Sequence, residues 1–443
     1  MKIQHVDAFQ IYDSRGNPTV EAVVTLGDGT TGRGLVPSGA STGQFEAHEL
    51  RDGEAAKFRG RSVFRAIGHV RGEIADAVRG RDVIDQRGLD AALIALDGTP
   101  NKSRLGANAI LGVSMAAASA AANARAVPLF ESLGDGGGTL LPLPEIQIIG
   151  GGAHANWRTD IQDWLVMATG ARDYPETLEI TFNVFHAAGE VMKKRGALHG
   201  CADEGGYWPE FRSNEEAFEA FAEAVALAGY TLGAEASLSL DIAASDLYDE
   251  ATGSYRLDLD ERTLSSDEFV DQMIRWCRDY KVASIEDPAA DTDWRGWERF
   301  HAACGADTQI IGDDLFTTNP ARIREGIDRG VANSVLIKLN QIGTVTETID
   351  AIRLTQQAGW APVVSARSGE TEDAFISHLA VATNAGQLKV GSFCRSERMV
   401  KWNDCLRIQR QLAGRARFAG ASALAPGCGR QPGVPAAAGG RTD

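Results

Sequence analysis

Six short apolar runs in the second half of the chain each stop at a residue able to bind a metal or move a proton. They are LSLD at Asp241, VASIE at Glu286, TQIIGD at Asp313, SVLIK at Lys338, PVVSAR at Arg367 and QLK at Lys389. The gaps between these residues are 45, 27, 25, 29 and 22. A strand, a crossover helix and two short loops need about 30 residues, so the spacing predicts successive βα units. In a parallel barrel the strand C-termini share one face, which would bring the six groups to one site. A single buried strand ending in a polar residue would mean little; carboxylates on three runs followed by cations on three more point to a built site.

Asp241, Glu286 and Asp313 form an all-oxygen donor set that suits Mg²⁺, a hard cation preferring octahedral oxygen ligation. No His or Cys falls at a matching position, which argues against zinc. Lys338 follows. Beside bound dications its ammonium form is disfavoured, so it is expected to act as a neutral general base, with the metals holding an enediolate. Arg367 and Ser368 suit a phosphate, and Lys389 a carboxylate. In CADEGGYWP, Glu204 sits among glycines that let backbone approach a ligand closely, and it could protonate a leaving group opposite the base.

The elements that must position these groups can be read along the chain. Residues 3–36 alternate apolar and polar positions around turn signals at Gly16-Asn17-Pro18 and Gly27-Asp28-Gly29, which predicts an antiparallel meander. A small-residue loop, Pro37 to Gly43, follows. Residues 54–130 carry Ala, Leu, Arg and Glu at helical spacing, a helical layer whose small residues imply close packing on the meander. The Gly-rich break Gly134 to Gly138 marks a domain boundary, giving a cap over 1–134, a barrel over 135–425 and a disordered tail over 426–443. With 44% hydrophobic and 23% charged residues the composition is globular. A net charge of −16 argues against nucleic acid or an anionic membrane as partner, though not against a small anionic substrate. Six cysteines without metal-ligand spacing, and a start without an apolar signal core, predict a cytoplasmic protein with reduced thiols.

These residues resemble the enolase family over nearly the whole chain. The motifs are DSRGNPTVE from Asp13, VPSGASTG from Val36, LDGTPNKSRLGANAILGVS from Leu96, GGGAHAN from Gly150, DEGG from Asp203, SLDIAASDLY from Ser239, SIEDP from Ser284, GDDLFTTN from Gly312, LIKLNQIGTVTET from Leu336, SARSGETED from Ser365 and FCRSER from Phe393. The resemblance implies an α/β fold, a small α+β capping domain followed by an enolase-type eight-stranded barrel. It further implies two Mg²⁺ ions, the first on Asp241, Glu286 and Asp313 and the second reached by Ser41 of a mobile loop. Lys338 is then the base beside the substrate carboxylate, Glu204 the acid at the 3-hydroxyl, Arg367 and Ser368 the phosphate pair and Lys389 the carboxylate ligand. His154 matches a family histidine on the lid side. A homodimer or a ring of dimers is also implied.

The departures from the family gather at the leaving-group end. SHRSGETED reads SARSGETED here, so Ala366 stands in place of a histidine at the reacting end of the substrate. QEF reads Gln162-Asp163-Trp164, which shortens a carboxylate by one methylene; GGFAP has become GGYWP, with Tyr207 and Trp208; and the usual Asn before the GG turn appears as Gln147. Retained metal, base and phosphate groups with an altered leaving-group side favour a specialised paralogue acting on a phosphorylated or phosphonylated substrate, of the carboxyphosphonoenolpyruvate synthase type found in phosphinothricin-type antibiotic biosynthesis. The alternative is an ordinary enolase converting 2-phosphoglycerate to phosphoenolpyruvate. A third reading, an inactive relative kept for binding, fits poorly with intact metal ligands and Lys338.

Overall fold

A computed structural model describes residues 1–40 and 43–428. The N-terminal region is the expected meander: β1 (Ile3–Tyr12), β2 (Pro18–Leu26) and β3 (Thr31–Leu35) pair antiparallel in that order. The first turn is set by Asp13, whose side chain accepts from the amides of Arg15 and Asn17 at 2.9 and 2.8 Å. The helix Ala107–Ala124 lies against β2 and β3. A Cβ on Gly32 would fall 2.1 Å from Ala120 N, and one on Gly34 2.2 Å from Gly112 O. Small residues are therefore what permit this approach. By length and composition that helix could cross a bilayer, but 83% of it is buried, the mark of a core helix.

Eight strands close the barrel. They are β4 (Leu143–Gly150), β5 (Asp163–Met167), β6 (Ser237–Asp241), β7 (Ser284–Glu286), β8 (Gln309–Gly312), β9 (Ser334–Ile337), β10 (Ala361–Ser365) and β11 (Gln387–Ser392), with β11 pairing back onto β4. Every residue of these strands is buried. That is why they read as apolar runs rather than as alternating ones. Side-chain caps start several of the crossover helices. Ser265 and Glu268 form a capping box on Ser266–Asp279, Asn319 caps Pro320–Arg329 and Thr344 caps Val345–Gln357.

Three features depart from the sequence reading. The barrel is not wholly parallel: β5 runs antiparallel to both β4 and β6, so Asp163, its first residue, stands beside Asp241, the last of β6. The long interval between Asp241 and Glu286 holds an extra three-stranded sheet, Tyr248–Asp249, Ser254–Leu257 and Arg262–Ser265. The chain also keeps packing beyond residue 425. Cys428 is 4% exposed and clusters with Leu424, Ala425 and Leu143, so the expected tail, where described, begins as part of the core. The rest of that tail, 429–443, lies outside the described residues.

Candidate active site

One cavity at the rim of the barrel is lined by His154, Gln162, Asp163, Glu204, Asp241, Asp313, Lys338, Ala366, Arg367, Ser368 and Lys389. These are the expected site residues except two. Glu286 reaches the same group through Lys389, and Ser41 lies outside the described residues. The strand ends do converge.

On the base side, lysines and carboxylates neutralise one another. Lys389 Nζ donates to Asp241 Oδ2 at 2.8 Å and to Glu286 Oε2 at 2.6 Å. Lys338 Nζ donates to Asp313 Oδ2 at 2.5 Å, and Gln341 Nε2 to Asp313 Oδ1 at 2.8 Å. Burial and the neighbouring Asp241 charge push the Glu286 carboxyl well above the usual carboxylate range. For Asp241 burial acts upward, but Lys389 outweighs it and the pKa is lowered, so Asp241 is the partner Lys389 keeps ionised. Burial acts against the Lys338 ammonium, yet Asp313 and Glu286 outweigh burial and raise the pKa. The neutral base expected beside bound dications would need their charge to offset these carboxylates.

The donor set fits a hard divalent cation. Three buried carboxylates that crowd round the ammonium groups of Lys338 and Lys389 would gain from one, and their donor atoms are oxygens. The sequence reading missed two further acids: oxygens of Asp287, Asp313 and Asp314 lie within 4.8 Å of one another. Asp287 is committed to structure, accepting from the amides of Asp313 and Asp314, each at 2.9 Å. Both acids stand inside the quoted motifs, in SIEDP and GDDLF, directly after a residue that was singled out.

Arg367 lines the cavity and binds the cap. Its guanidinium donates to Glu46 at 3.0 and 3.1 Å and to Asn340 at 2.9 Å. The Arg367 and Ser368 backbone is fixed from below by Arg398, which is fully buried and donates to the carbonyls of Arg367, Ser368 and Val390 at 2.6, 2.5 and 2.8 Å. Arg398 was legible only as part of FCRSER.

On the acid side, His154 stands between two carboxylates, its Nδ1 3.6 Å from Asp163 and its Nε2 4.0 Å from Glu204. Both contacts are ionic pairings, too long for hydrogen bonds. Burial works to lower the His154 pKa, but Glu204, Asp163 and Asp241 outweigh it and carry the value up to about 9. Glu204 is shifted the other way. Its burial is overcome by His154, Arg398 and the two lysines, so it rests as a carboxylate rather than as the acid that a leaving group needs. Its turn is held rigidly, with Ser392 N donating to Glu204 O at 3.0 Å and Asp203 N to His154 O at 3.1 Å. Gln162 Nε2 donates to Asp241 Oδ2 at 2.9 Å. Ala366 is 6% exposed and lines the same cavity as His154, although the two are far apart in sequence. Tyr207 does not line the cavity: its ring stacks on Phe185 with centroids 4.7 Å apart.

Comparison with known proteins agrees with this geometry. Residues 3–133 match the enolase N-terminal domain and residues 138–426 the enolase C-terminal TIM barrel domain. The chain is 54% identical over 418 residues to Enolase 1 of Desulfitobacterium hafniense (strain Y51), covering 94% of this chain and 95% of that protein. With both domains matched in order and the strand-end groups gathered at one rim, the chain belongs to the enolase family of carbon–oxygen lyases.

Proposed function

We propose that the protein dehydrates 2-phosphoglycerate to phosphoenolpyruvate. The observation that carries this reading is the single cavity lined on one side by Lys338 and on the other by Glu204 with His154. A base and an acid on opposite sides of one substrate are what an elimination requires. Lys338 takes the proton beside the carboxylate once Asp313 no longer holds its ammonium. Glu204 meets the 3-hydroxyl, and because it rests ionised, the proton it passes on comes from the His154 imidazolium, which stands 4.0 Å away and must close to hydrogen-bond distance for the transfer. Arg367 and Ser368 orient the phosphate, and Lys389 and Gln162 the carboxylate end. Asp241, Glu286 and Asp313 would hold Mg²⁺, with Ser41 expected to reach a second ion, and the cations would supply positive charge to offset the negative charge that builds on the substrate carboxylate as its neighbouring proton leaves.

The 54% identity to Enolase 1 supports this reading over the phosphonate one. Ala366 is the specific observation on the other side, since a methyl group where the family has an imidazole leaves room for a larger substrate. The test is the absorbance rise of enolpyruvate formation from 2-phosphoglycerate with Mg²⁺, for the wild type and Ala366→His. Fast turnover by the wild type supports dehydration. Little turnover, restored in part by the histidine, would overturn it in favour of enolate chemistry on another substrate, with activated phosphonates the first to try. A homodimer or ring of dimers is part of the same proposal and would be read by sedimentation.

A further inference from the structure

Gln147 has no part in the chemistry described above and does not line the cavity, yet its side chain joins Asp163 to the turn carrying Glu204. It is fully buried on β4. Its Nε2 donates to Asp163 Oδ1, and its Oε1 accepts from Gly206 N at 2.7 Å, an amide of the turn that presents Glu204. Both ends of the amide are therefore committed in one sense only. A flip would set NH₂ against an amide N–H and oxygen against a carboxylate. The slot is narrow as well: a Cβ on Gly206 would lie 2.4 Å from Gln147 Oε1, and one on Gly150 3.3 Å from its Nε2. Asp163 has no stronger anchor. Its Oδ2 is buried without a hydrogen-bond partner, and His154 approaches Oδ1 no closer than 3.6 Å.

The two residues that meet here are two of the departures from the enolase motifs. Asp163 is one methylene shorter than the family's glutamate, and Gln147 one methylene longer than its asparagine. The changes are opposite in sign and their ends touch. We propose that Gln147 is a positioning residue, length-matched to Asp163, that fixes the spacing between this carboxylate and the turn carrying Glu204. The proposal rests on the dehydration reading for its catalytic consequence.

The experiment uses the full chain with Mg²⁺ and compares Gln147→Asn, Asp163→Glu, the double variant and Gln147→Met, reading kcat, KM and melting temperature. Misplacing a reacting group by about 1 Å can cost about 10²-fold, so each single exchange should lower kcat by about that factor with KM little changed. The double variant should regain most of the loss. Gln147→Met keeps the length without either hydrogen bond, and Asp163→Glu should not rescue it. Losses that simply multiply in the double variant, or single variants at wild-type kcat, overturn the proposal. Were the wild type inactive on 2-phosphoglycerate, the dehydration reading would fail while the pairing would still be read from melting. A double variant more stable than the two single losses predict supports the matched pair, and additive losses refute it.

Discussion

His154 offers the most direct test of the electrostatics. An imidazole free in water titrates near pH 6.5, whereas burial between Glu204 and Asp163 leaves His154 at about 9. The folded value lies above the unfolded one. The stabilisation is therefore complete below pH 6.5 and is lost as pH rises through 9. The rise from 6.5 to about 9, at about 1.36 kcal/mol for each pH unit, amounts to about 3 kcal/mol. The titration is measured by NMR of the imidazole carbons in chelator-treated protein, with His154→Gln identifying the resonance. A midpoint near 9 is expected. Denaturant unfolding at pH 6 and pH 10 should then show the wild type losing about 3 kcal/mol more than the variant over that interval. A midpoint at or below 6.5, or equal losses in the two proteins, would refute the reasoning, since burial would then have beaten the two carboxylates.

Three further outcomes follow from the geometry. Lys338→Ala should abolish exchange of the substrate's carboxylate-adjacent proton with deuterated solvent, while Glu204→Gln should keep the exchange and lower elimination by about 10²-fold or more. Added Mg²⁺ should raise the melting temperature of the chelated protein by mass action, about 2.7 kcal/mol at a hundred times Kd, and an Asp241→Asn, Glu286→Gln double variant should lose most of that rise. Arg398→Met strands three buried carbonyls at about 1–3 kcal/mol each, so denaturant unfolding should register a loss of about 3 kcal/mol or more.

The strand-end groups were legible because a buried parallel strand is a nearly continuous apolar run, and its first polar residue marks the rim. Glu286, Asp313 and Lys338 each close their apolar run in that way, whereas Ser239 and Ser365 precede Asp241 and Arg367, and Lys389 stands inside β11. Direction was not legible. β5 has the same buried composition whichever way it runs, so nothing local tells that Asp163 reaches the rim from a strand's start. Partners supplied by distant chain were equally hidden. Glu46 on Arg367 is 321 residues away in sequence, and Gln147 on Glu204's turn depends on a hairpin, Leu198–Cys201 with Tyr207–Pro209, that pairs with β4. The charges that surround Lys338 and Glu204 were equally hidden, because sequence gives charges but not which of them end up as neighbours.

Because β5 runs backward, the segment 151–162 leaves and re-enters the barrel at the same rim. It never passes through the outer helical layer. Asn156 and Trp157 are the exposed residues of that segment, so lengthening it there costs about 0.6 kcal/mol per doubling with no crossover helix to repack. The mouth is thus unequal in its tolerance of sequence drift. The half that carries Lys338 is built from strands tied to helices, while the half that carries His154 changes in matched pairs, as at Gln147 and Asp163. The divergence at Gln147, Asp163, Tyr207 and Trp208 falls in the half, and beside the link, where revision is least expensive.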